Sequence, residues 1–463
     1  MDARAEAAPN RLLRDAIAAC AALIVIALAS NRGYFSHDEL QWLAFADSDG
    51  WPDVPWAGFA AIDTFQYRPI TFHLWLALLH VLGYRPMAVH AVIALVGLAN
   101  ALLMRACALR LGATRASAGV AMLVFLLFPY VMYVHGWVGT IADLLVCVCA
   151  SLAVLWLCCD TQDASALRGG LRDAIPIAAL TAIALLGKES AVVFPALLLC
   201  AWPRRRRRLV APVAASAFVV LVYLLLRAKT ILFSPHEPGV YSWSLGNIPG
   251  NLALFALFPF DLRHFEILGS HDLHGFSLLV PITCVVLVTA AIATAGWRWL
   301  AALVIGCVAC LGPVLILDSV SNVYAYLASA FACGLIAVAA PRMRPAARWL
   351  LVVPALIAVV HGAQIGKTML HIGSQQRHLY ADLVRLLPAA SAEHPLRIRA
   401  MHEADDTTVR RLLHSVPSYH RIPLRERAWA VAYNDTTQMP THWMKPSGKL
   451  MPAQPPATEH AQP

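Results

Sequence analysis

The stretch RRRRRLVAPVAASAFVVLVYLLLR, at positions 204–227, decides the fold class of this chain. Five arginines stand before a run, 209–226, that contains no charged residue. A helix of about 18 apolar residues is long enough to approach the full width of a bilayer's hydrocarbon core. Clustered cations beside such a run are typical of the cytoplasmic side of a membrane. We therefore interpret the arginines as a stop signal in contact with anionic lipid.

The composition of the whole chain favours the same class. Of 463 residues, 59% are apolar and only 14% are charged, and the mean hydropathy is +0.63. Soluble domains carry about 25% charged residues. The net charge of +9 is distributed in short clusters between apolar runs, which argues against a nucleic-acid partner. The chain is predicted to be an all-α integral membrane protein surrounded by membrane lipids.

Loop charges give the predicted topology. With a cytoplasmic N-terminus, every strong basic cluster falls on the inner side, and the C-terminus is external. The first run is interpreted as a retained signal anchor in the cell (inner) membrane. The fold predicted is a bundle of about 11 transmembrane helices, at approximately 12–30, 86–104, 117–134, 137–157, 174–187, 190–202, 209–227, 276–295, 299–317, 321–340 and 348–365.

The predicted domains are a polytopic membrane domain, 1–366, and a small polar external tail, 367–463. Residues 31–85 of the membrane domain form an external acidic loop, in which 70–84 is predicted to be a helix lying on the outer leaflet. A second helix of this kind is predicted at 244–260. In the tail, 396–432 is predicted to be a small α or α/β unit, and the Pro-rich end is predicted to be disordered.

The cysteine residues predict neither a metal site nor a disulfide framework. Almost all of the eleven lie in apolar runs, where cysteine usually acts as a small hydrophobic residue.

An adjacent pair of carboxylates follows the first apolar run. Asp38 and Glu39, preceded by His37, can supply a general base at the mouth of a membrane protein. The alternative is the solvated acidic start of a loop. Arg68, which precedes Pro69, can clamp a phosphate or a carboxylate, or it can anchor the chain at the interface.

A second set of polar residues interrupts the later apolar runs. Lys188 can neutralise a lipid phosphate while Glu189 orients it, although an interfacial lysine that snorkels is an equal alternative. Asp143 lies within an apolar run, where a carboxylate needs a partner or a function. Tyr324 and Tyr326 fit an aromatic belt equally well.

The order of these motifs resembles the GT-C class of membrane glycosyltransferases. The likeness is to protein O-mannosyltransferase-like enzymes and to the membrane region of the transmembrane-and-tetratricopeptide family, and it covers about 34–340. Asp38-Glu39 resembles the acidic motif of the first external loop in that class. The other motifs that carry the resemblance are Arg68-Pro69-Ile70-Thr71, Ala142-Asp143-Leu144-Leu145, Lys188-Glu189-Ser190 and Tyr324-Ala325-Tyr326-Leu327.

This chain also departs from the family pattern. Ile141 replaces the arginine of the Arg-Ala-Asp motif, and Asn322-Val323 stand where an arginine is usual. No tetratricopeptide repeat follows the membrane region.

The resemblance implies an inverting, metal-independent glycosyltransferase without a cofactor. The enzyme would move a sugar from a polyprenyl-phosphate donor to a hydroxyl of a glycan, lipid or protein acceptor on the external, periplasmic face. It implies Asp38 or Glu39 as the catalytic base, and Arg68 and Lys188 as ligands of the donor phosphate. Residues that would shape the site are His37, His73, Asp143, Glu189, Tyr324 and Tyr326.

Three other functions are compatible with the same residues. A lipid-linked sugar flippase or transporter would use the charges for translocation. An O-antigen polymerase or ligase is the nearest alternative enzyme. A non-catalytic membrane scaffold would not need the acidic pair.

Overall fold

The computed structural model describes residues 3–48, 59–60, 62, 66–158, 166–200, 206–233, 242–263 and 278–453. The middle of the predicted acidic loop and most of the Pro-rich C-terminal end lie outside these ranges. Within them, the part of the chain before residue 390 is almost entirely helical.

Among the residues that the structure describes, six helical segments are long and apolar enough to cross a membrane, and a bent pair raises the number to seven. This agrees with a multi-pass α-helical membrane protein. The count of about 11 is not confirmed, and some of the predicted spans form shorter helices in the described ranges. Glu189–Cys200, at about 1.5 Å per residue, rises only about 18 Å, against a hydrocarbon core of about 30 Å. The six segments are Pro86–Arg110, Val138–Cys158, Leu209–Ile231, Trp297–Ile316, Asn322–Arg342 and Pro345–Ala389.

The α-helices are numbered here in chain order. They are α1 (Ala3–Ala29), α2 (His37–Ala46), α3 (Pro69–Leu82), α4 (Pro86–Arg110), α5 (Arg115–Leu126), α6 (Pro129–Gly136), α7 (Ile141–Cys158), α8 (Ala166–Gly187), α9 (Phe194–Cys200), α10 (Arg206–Phe233), α11 (Ile248–Leu257), α12 (Leu279–Ala293), α13 (Trp297–Leu311), α14 (Tyr326–Ala339), α15 (Pro345–Trp349), α16 (Val352–Leu386) and α17 (Asp406–Leu413).

Local sequence explains how the bent pair α5–α6 is formed. The Thr114 hydroxyl accepts a hydrogen bond from the Ser117 amide at 3.1 Å and caps the start of α5. Pro129 is the first residue of α6, a position whose N–H has no partner within the helix, so the missing N–H of proline costs no hydrogen bond there. Inside a continuous helix the same residue would remove a hydrogen bond, so α5 ends before it. The two helices therefore meet at a bend of 58°. Gly362 of α16 passes this bend so closely that a Cβ would lie 1.7 Å from the Leu127 carbonyl oxygen.

The helices alternate in direction, which gives the bundle two chemically different ends. At one end the Arg342 guanidinium lies 5.0 Å from the Trp299 ring centre, close to other arginines of the predicted inner side. At the other end the His90 ring lies 2.8 Å from the Gly33 carbonyl oxygen, which joins the start of α4 to the chain beyond α1. The candidate site residues described below lie at this second end.

Two parts of the fold were not predicted. Helix α2 begins within the acidic motif, with Ser36 as its N-cap. Helix α16 continues through the predicted domain boundary at 366–367 and ends at Leu386.

Beyond α16 the chain forms a small C-terminal unit. Its strands are β1 (Leu396–Ala400), β2 (Ser418–Tyr419), β3 (Ile422–Pro423), β4 (Ala428–Ala430), β5 (His442–Met444) and β6 (Leu450–Pro452). Four of them form a sheet in the order β4-β1-β5-β6. β1 is parallel to β4 and to β5, and β5 is antiparallel to β6. Helix α17 follows β1, and a two-stranded hairpin, β2–β3, follows α17. The C-terminal unit lies against α16 and α2.

Candidate active site

A buried ion pair joins α7 to the end of α8. The Lys188 Nζ atom lies 2.6 Å from Asp143 Oδ1 and 2.7 Å from Oδ2. The two residues are only 5% and 8% exposed. A charge held away from water is costly unless an opposite charge compensates it. The pair therefore fixes the outer end of α8 against α7.

A second ion pair lies beside the first. The Arg68 Nε atom donates to Glu189 Oε2 at 2.7 Å. The Thr71 hydroxyl, one turn into α3, donates to the Gly187 carbonyl oxygen at 2.6 Å. These bonds hold the start of α3 at the corner formed by Gly187 and Lys188.

An aromatic ring completes this group. The Lys188 ammonium lies 5.1 Å from the centre of the Tyr324 ring, within the range of a cation–π contact. Residues from four separated segments of the sequence thus converge. They form what we call the charge cluster: Arg68, Asp143, Lys188, Glu189 and Tyr324.

The sequence reasoning missed one further cation in this region. Arg227 of α10 is 2% exposed, and its guanidinium lies 5.5 Å from the Tyr67 ring and donates to the Ile62 carbonyl oxygen. Tyr223, one turn earlier on α10, is close enough to Arg227, Arg68 and Glu189 to interact with all three electrostatically. The signal was present, since Arg227 stands at the predicted external end of the run 209–226, where the positive-inside rule does not expect an arginine.

Arg227 adds a third cation to this part of the bundle, and it is linked to Arg68 and Glu189 through Tyr223. In a poorly hydrated setting, cations that are held in place favour binding of an anion.

Two other predicted residues have different surroundings. The Tyr326 hydroxyl lies 3.0 Å from His135 Nε2, and both side chains are buried inside the bundle. His73 of α3 stacks on Phe59, with ring centres 5.2 Å apart. Tyr326 thus lies in the packed interior, and His73 in an aromatic contact on α3.

The predicted base Asp38 belongs to a second group, which we call the acidic dyad: His37 and Asp38. The His37 Nε2 atom lies 3.1 Å from Asp38 Oδ1, and the Asp38 side chain is 36% exposed. Burial raises the pKa of Asp38, while the nearby His37 imidazole opposes that shift. Burial also lowers the pKa of His37, which the Asp38 carboxylate opposes.

Glu39 has a different environment from its neighbour. It is fully buried, and its Oε2 atom accepts a hydrogen bond from the Ser36 amide at 3.0 Å, as part of a capping box at the start of α2. Burial, with a smaller contribution from Asp38, raises the pKa of Glu39 to about 8. Of the two carboxylates predicted as the base, only Asp38 is therefore accessible to an acceptor.

Helices α2 and α3 are paired side by side. The Trp42 and Phe72 rings stack with centres 4.6 Å apart and planes 18° apart. Further along both helices, the His80 Nδ1 atom lies 2.8 Å from the Ala46 carbonyl oxygen. The Tyr34 hydroxyl, just before α2, also donates to the Gly83 carbonyl oxygen at the end of α3.

A packing contact relates the acidic dyad to the charge cluster. Helix α2 also packs against the turn Val138–Thr140, which leads directly to Asp143. The two groups are thus neighbours at one end of the bundle.

Comparisons of the chain with protein-family models, with curated proteins and with solved structures find no match. Among the residues that the structure describes, no group of three or more His, Cys, Asp or Glu side chains is arranged to hold a metal ion.

The environment of Glu39 predicts a pH-dependent stability. An unfolded glutamate has a pKa of about 4.5, while burial raises that of the folded chain to about 8. Between these values the unfolded chain loses the proton and the folded chain keeps it, so stability falls as pH rises. Glu39→Gln keeps the cap without a titrating group. Its melting temperature relative to the wild type should therefore increase from about pH 5 to about pH 8.

The exposed residue Glu426 supplies the control. Glu426→Gln should give a difference from the wild type that stays flat over the same pH range. A flat difference for Glu39→Gln as well would contradict a buried, protonated Glu39.

The ion pair predicts a non-additive pair of substitutions. Lys188→Met leaves the Asp143 carboxylate buried without its cation, which should cost about 3–5 kcal/mol, whereas the double variant with Asp143→Leu should recover most of that loss. Thermal unfolding of the detergent-purified variants measures both. Arg14→Met, which breaks an exposed pair with Asp15, should have little effect. Equal stability of the wild type and Lys188→Met would show that the pair is not a buried one.

Proposed function

We propose that the protein is a membrane glycosyltransferase that moves a sugar from a polyprenyl-phosphate-linked donor to an acceptor hydroxyl. The observation that carries the proposal is the convergence of two cations, Arg68 and Lys188, which ion pairs hold in place at the same end of the bundle as Asp38, a carboxylate that remains accessible. The cations suit an anionic donor, and the Asp38 carboxylate suits removal of a proton from an acceptor hydroxyl.

The donor side of the reaction needs stabilisation of a departing phosphate. Arg68 offers a planar fork of donors, and Lys188 a compact charge. Both are held by carboxylates in this chain, so their positions are fixed before a donor arrives. Fixed charges in a site with little water stabilise a developing anion more strongly than solvent does.

The acceptor side needs a general base, for which Asp38 is the candidate. The acceptor oxygen forms a bond to the anomeric carbon while the bond from that carbon to the phosphate oxygen breaks, with inversion. The hydroxyl proton passes to Asp38, and the bonding electrons leave with the phosphate. Burial raises the pKa of Asp38, which makes it a better proton acceptor than a fully hydrated carboxylate.

The proposed orientation puts this chemistry on the external, periplasmic face of the cell (inner) membrane. It is supported by the arginine-rich end of the bundle, which fits the cytoplasmic side. The site lies at the opposite end. The N-terminus would then be cytoplasmic and the C-terminal unit external.

A flippase or transporter would need a polar path between the two ends. Below the charge cluster, the interior is filled by large buried side chains such as Tyr326, Tyr133 and Phe125. This packing favours a site at one end over a path through the bundle. It does not distinguish the proposed transferase from a polymerase or ligase, which would act on the same face.

The test is transfer of labelled sugar in proteoliposomes supplied with polyprenyl-phosphate sugars and a panel of hydroxyl acceptors. Asp38→Asn removes the base and should reduce transfer by about 10²–10⁴-fold while the protein stays folded. Asp15→Asn makes the same chemical change at an exposed position of α1, outside the candidate site, and should leave transfer unchanged.

Two results would decide against the proposal. Undiminished transfer in Asp38→Asn would remove Asp38 from the mechanism. Passage of the lipid-linked sugar across the vesicle membrane without any transfer, abolished by Lys188→Met with Asp143→Leu, would assign a flippase instead.

A further inference from the structure

The C-terminal unit touches the acidic dyad directly. The His37 and His414 rings meet edge to face with centres 4.9 Å apart. The Gln41 side-chain amide donates to the His414 carbonyl oxygen at 3.1 Å. His414 directly follows α17, so the end of this helix lies over the start of α2.

A cation from the same helix lies beside this contact. The Arg411 guanidinium lies 5.0 Å from the centre of the Phe35 ring. Phe35 in turn lies edge-on to Trp137, with centres 5.6 Å apart, next to the turn that leads to Asp143. Arg411 therefore lies on the side of the C-terminal unit that faces the two groups of the candidate site, the acidic dyad and the charge cluster.

We propose that the C-terminal unit forms part of the acceptor side of the site, where Arg411 and His414 are positioning residues that hold the His37–Asp38 dyad. This inference rests on the proposed function for its chemical meaning. The contact on which it depends can be tested without any transfer assay.

The position of the unit is fixed independently of these two residues. The Tyr84 and His420 rings stack with centres 3.7 Å apart, and Arg421 pairs with Asp47 at 3.3 Å. The Tyr380 hydroxyl of α16 donates to the Leu412 carbonyl oxygen at 2.8 Å. Loss of one side chain at the dyad should therefore leave the unit docked.

The charged and titratable groups around Asp38 are few. Helix α2 contributes His37 and Glu39, and the C-terminal unit contributes Arg411 and His414. Arg411 is a cation throughout the accessible pH range. Its charge stabilises the Asp38 carboxylate and disfavours protonation of His37, so its removal should raise the pKa of both groups.

The neighbouring Arg410 offers a matched control. It lies on the same helix, is more than half exposed, and pairs with Asp406 at 2.9 Å instead of facing the dyad. Arg411→Met and Arg410→Met thus remove the same charge from adjacent positions of α17.

The first measurement is titration of the His37 imidazole by NMR in the purified full-length protein, assigned with His37→Gln. Arg411→Met should move this titration to higher pH, and Arg410→Met should not. An unchanged His37 titration in Arg411→Met, or an equal shift in both variants, would overturn the inference whatever the transfer assay gives.

The second measurement is the pH dependence of sugar transfer by the same variants. The acid limb should move to higher pH in Arg411→Met because Asp38 is harder to deprotonate. His414→Ala should lower kcat without changing KM for the lipid donor, and His414→Phe, which keeps the ring contact, should recover most of the rate. A shifted His37 titration with an unmoved acid limb would reject the positioning role.

Failure of the proposed function has a different signature. If the wild type transfers no sugar from any donor, while His37 still responds to Arg411→Met alone, the contact stands and the glycosyltransferase assignment falls.

Discussion

Lys188 and Asp143 place opposite charges within hydrogen-bond distance where little water reaches them, and one end of the bundle is arranged around this contact. Neither charge is tolerable there without the other. The adjacent bonds from Arg68 to Glu189 and from Thr71 to Gly187 extend the same constraint to α3. The apolar helices supply the low-dielectric surroundings that make these bonds strong.

The same constraint prepares the region for an anion. Ion pairs that hold Arg68 and Lys188 keep both cations in place, so little reorganisation is needed when a phosphate binds. A purely structural role needs only that these ion pairs persist, whereas the proposed function also needs Arg68 and Lys188 to contact a phosphate.

The acceptor side is built differently, from two parts of the chain that are far apart in sequence. Helix α2 presents Asp38 to solvent and turns Glu39 into the core, although the two are adjacent and chemically alike. The C-terminal unit then lies over this helix through His414, 373 positions beyond Gln41. A base held between two independently folded elements can be accessible and partly dehydrated at once.

Sequence reasoning predicted the helical membrane architecture and the residues of the charge cluster, because charges in apolar runs are rare and need partners. The predicted count of about 11 membrane-crossing helices is not confirmed, since a run such as 190–202 forms a helix shorter than the width of the hydrocarbon core. Sequence reasoning could not choose between Asp38 and Glu39, because only the capping geometry of α2 separates them. His414 and Arg411 carried no signal, as nothing in a polar tail indicates which membrane loop it contacts.

The central claim is that the charge cluster is a phosphate site. Its most direct measurement is binding of a short-chain polyprenyl phosphate to the purified protein, compared with the uncharged prenol of the same length. The account predicts that the wild type and Asp38→Asn bind the phosphate in preference to the prenol, and that Arg68→Gln loses this preference. Equal binding of the phosphate and the prenol by the wild type would contradict it.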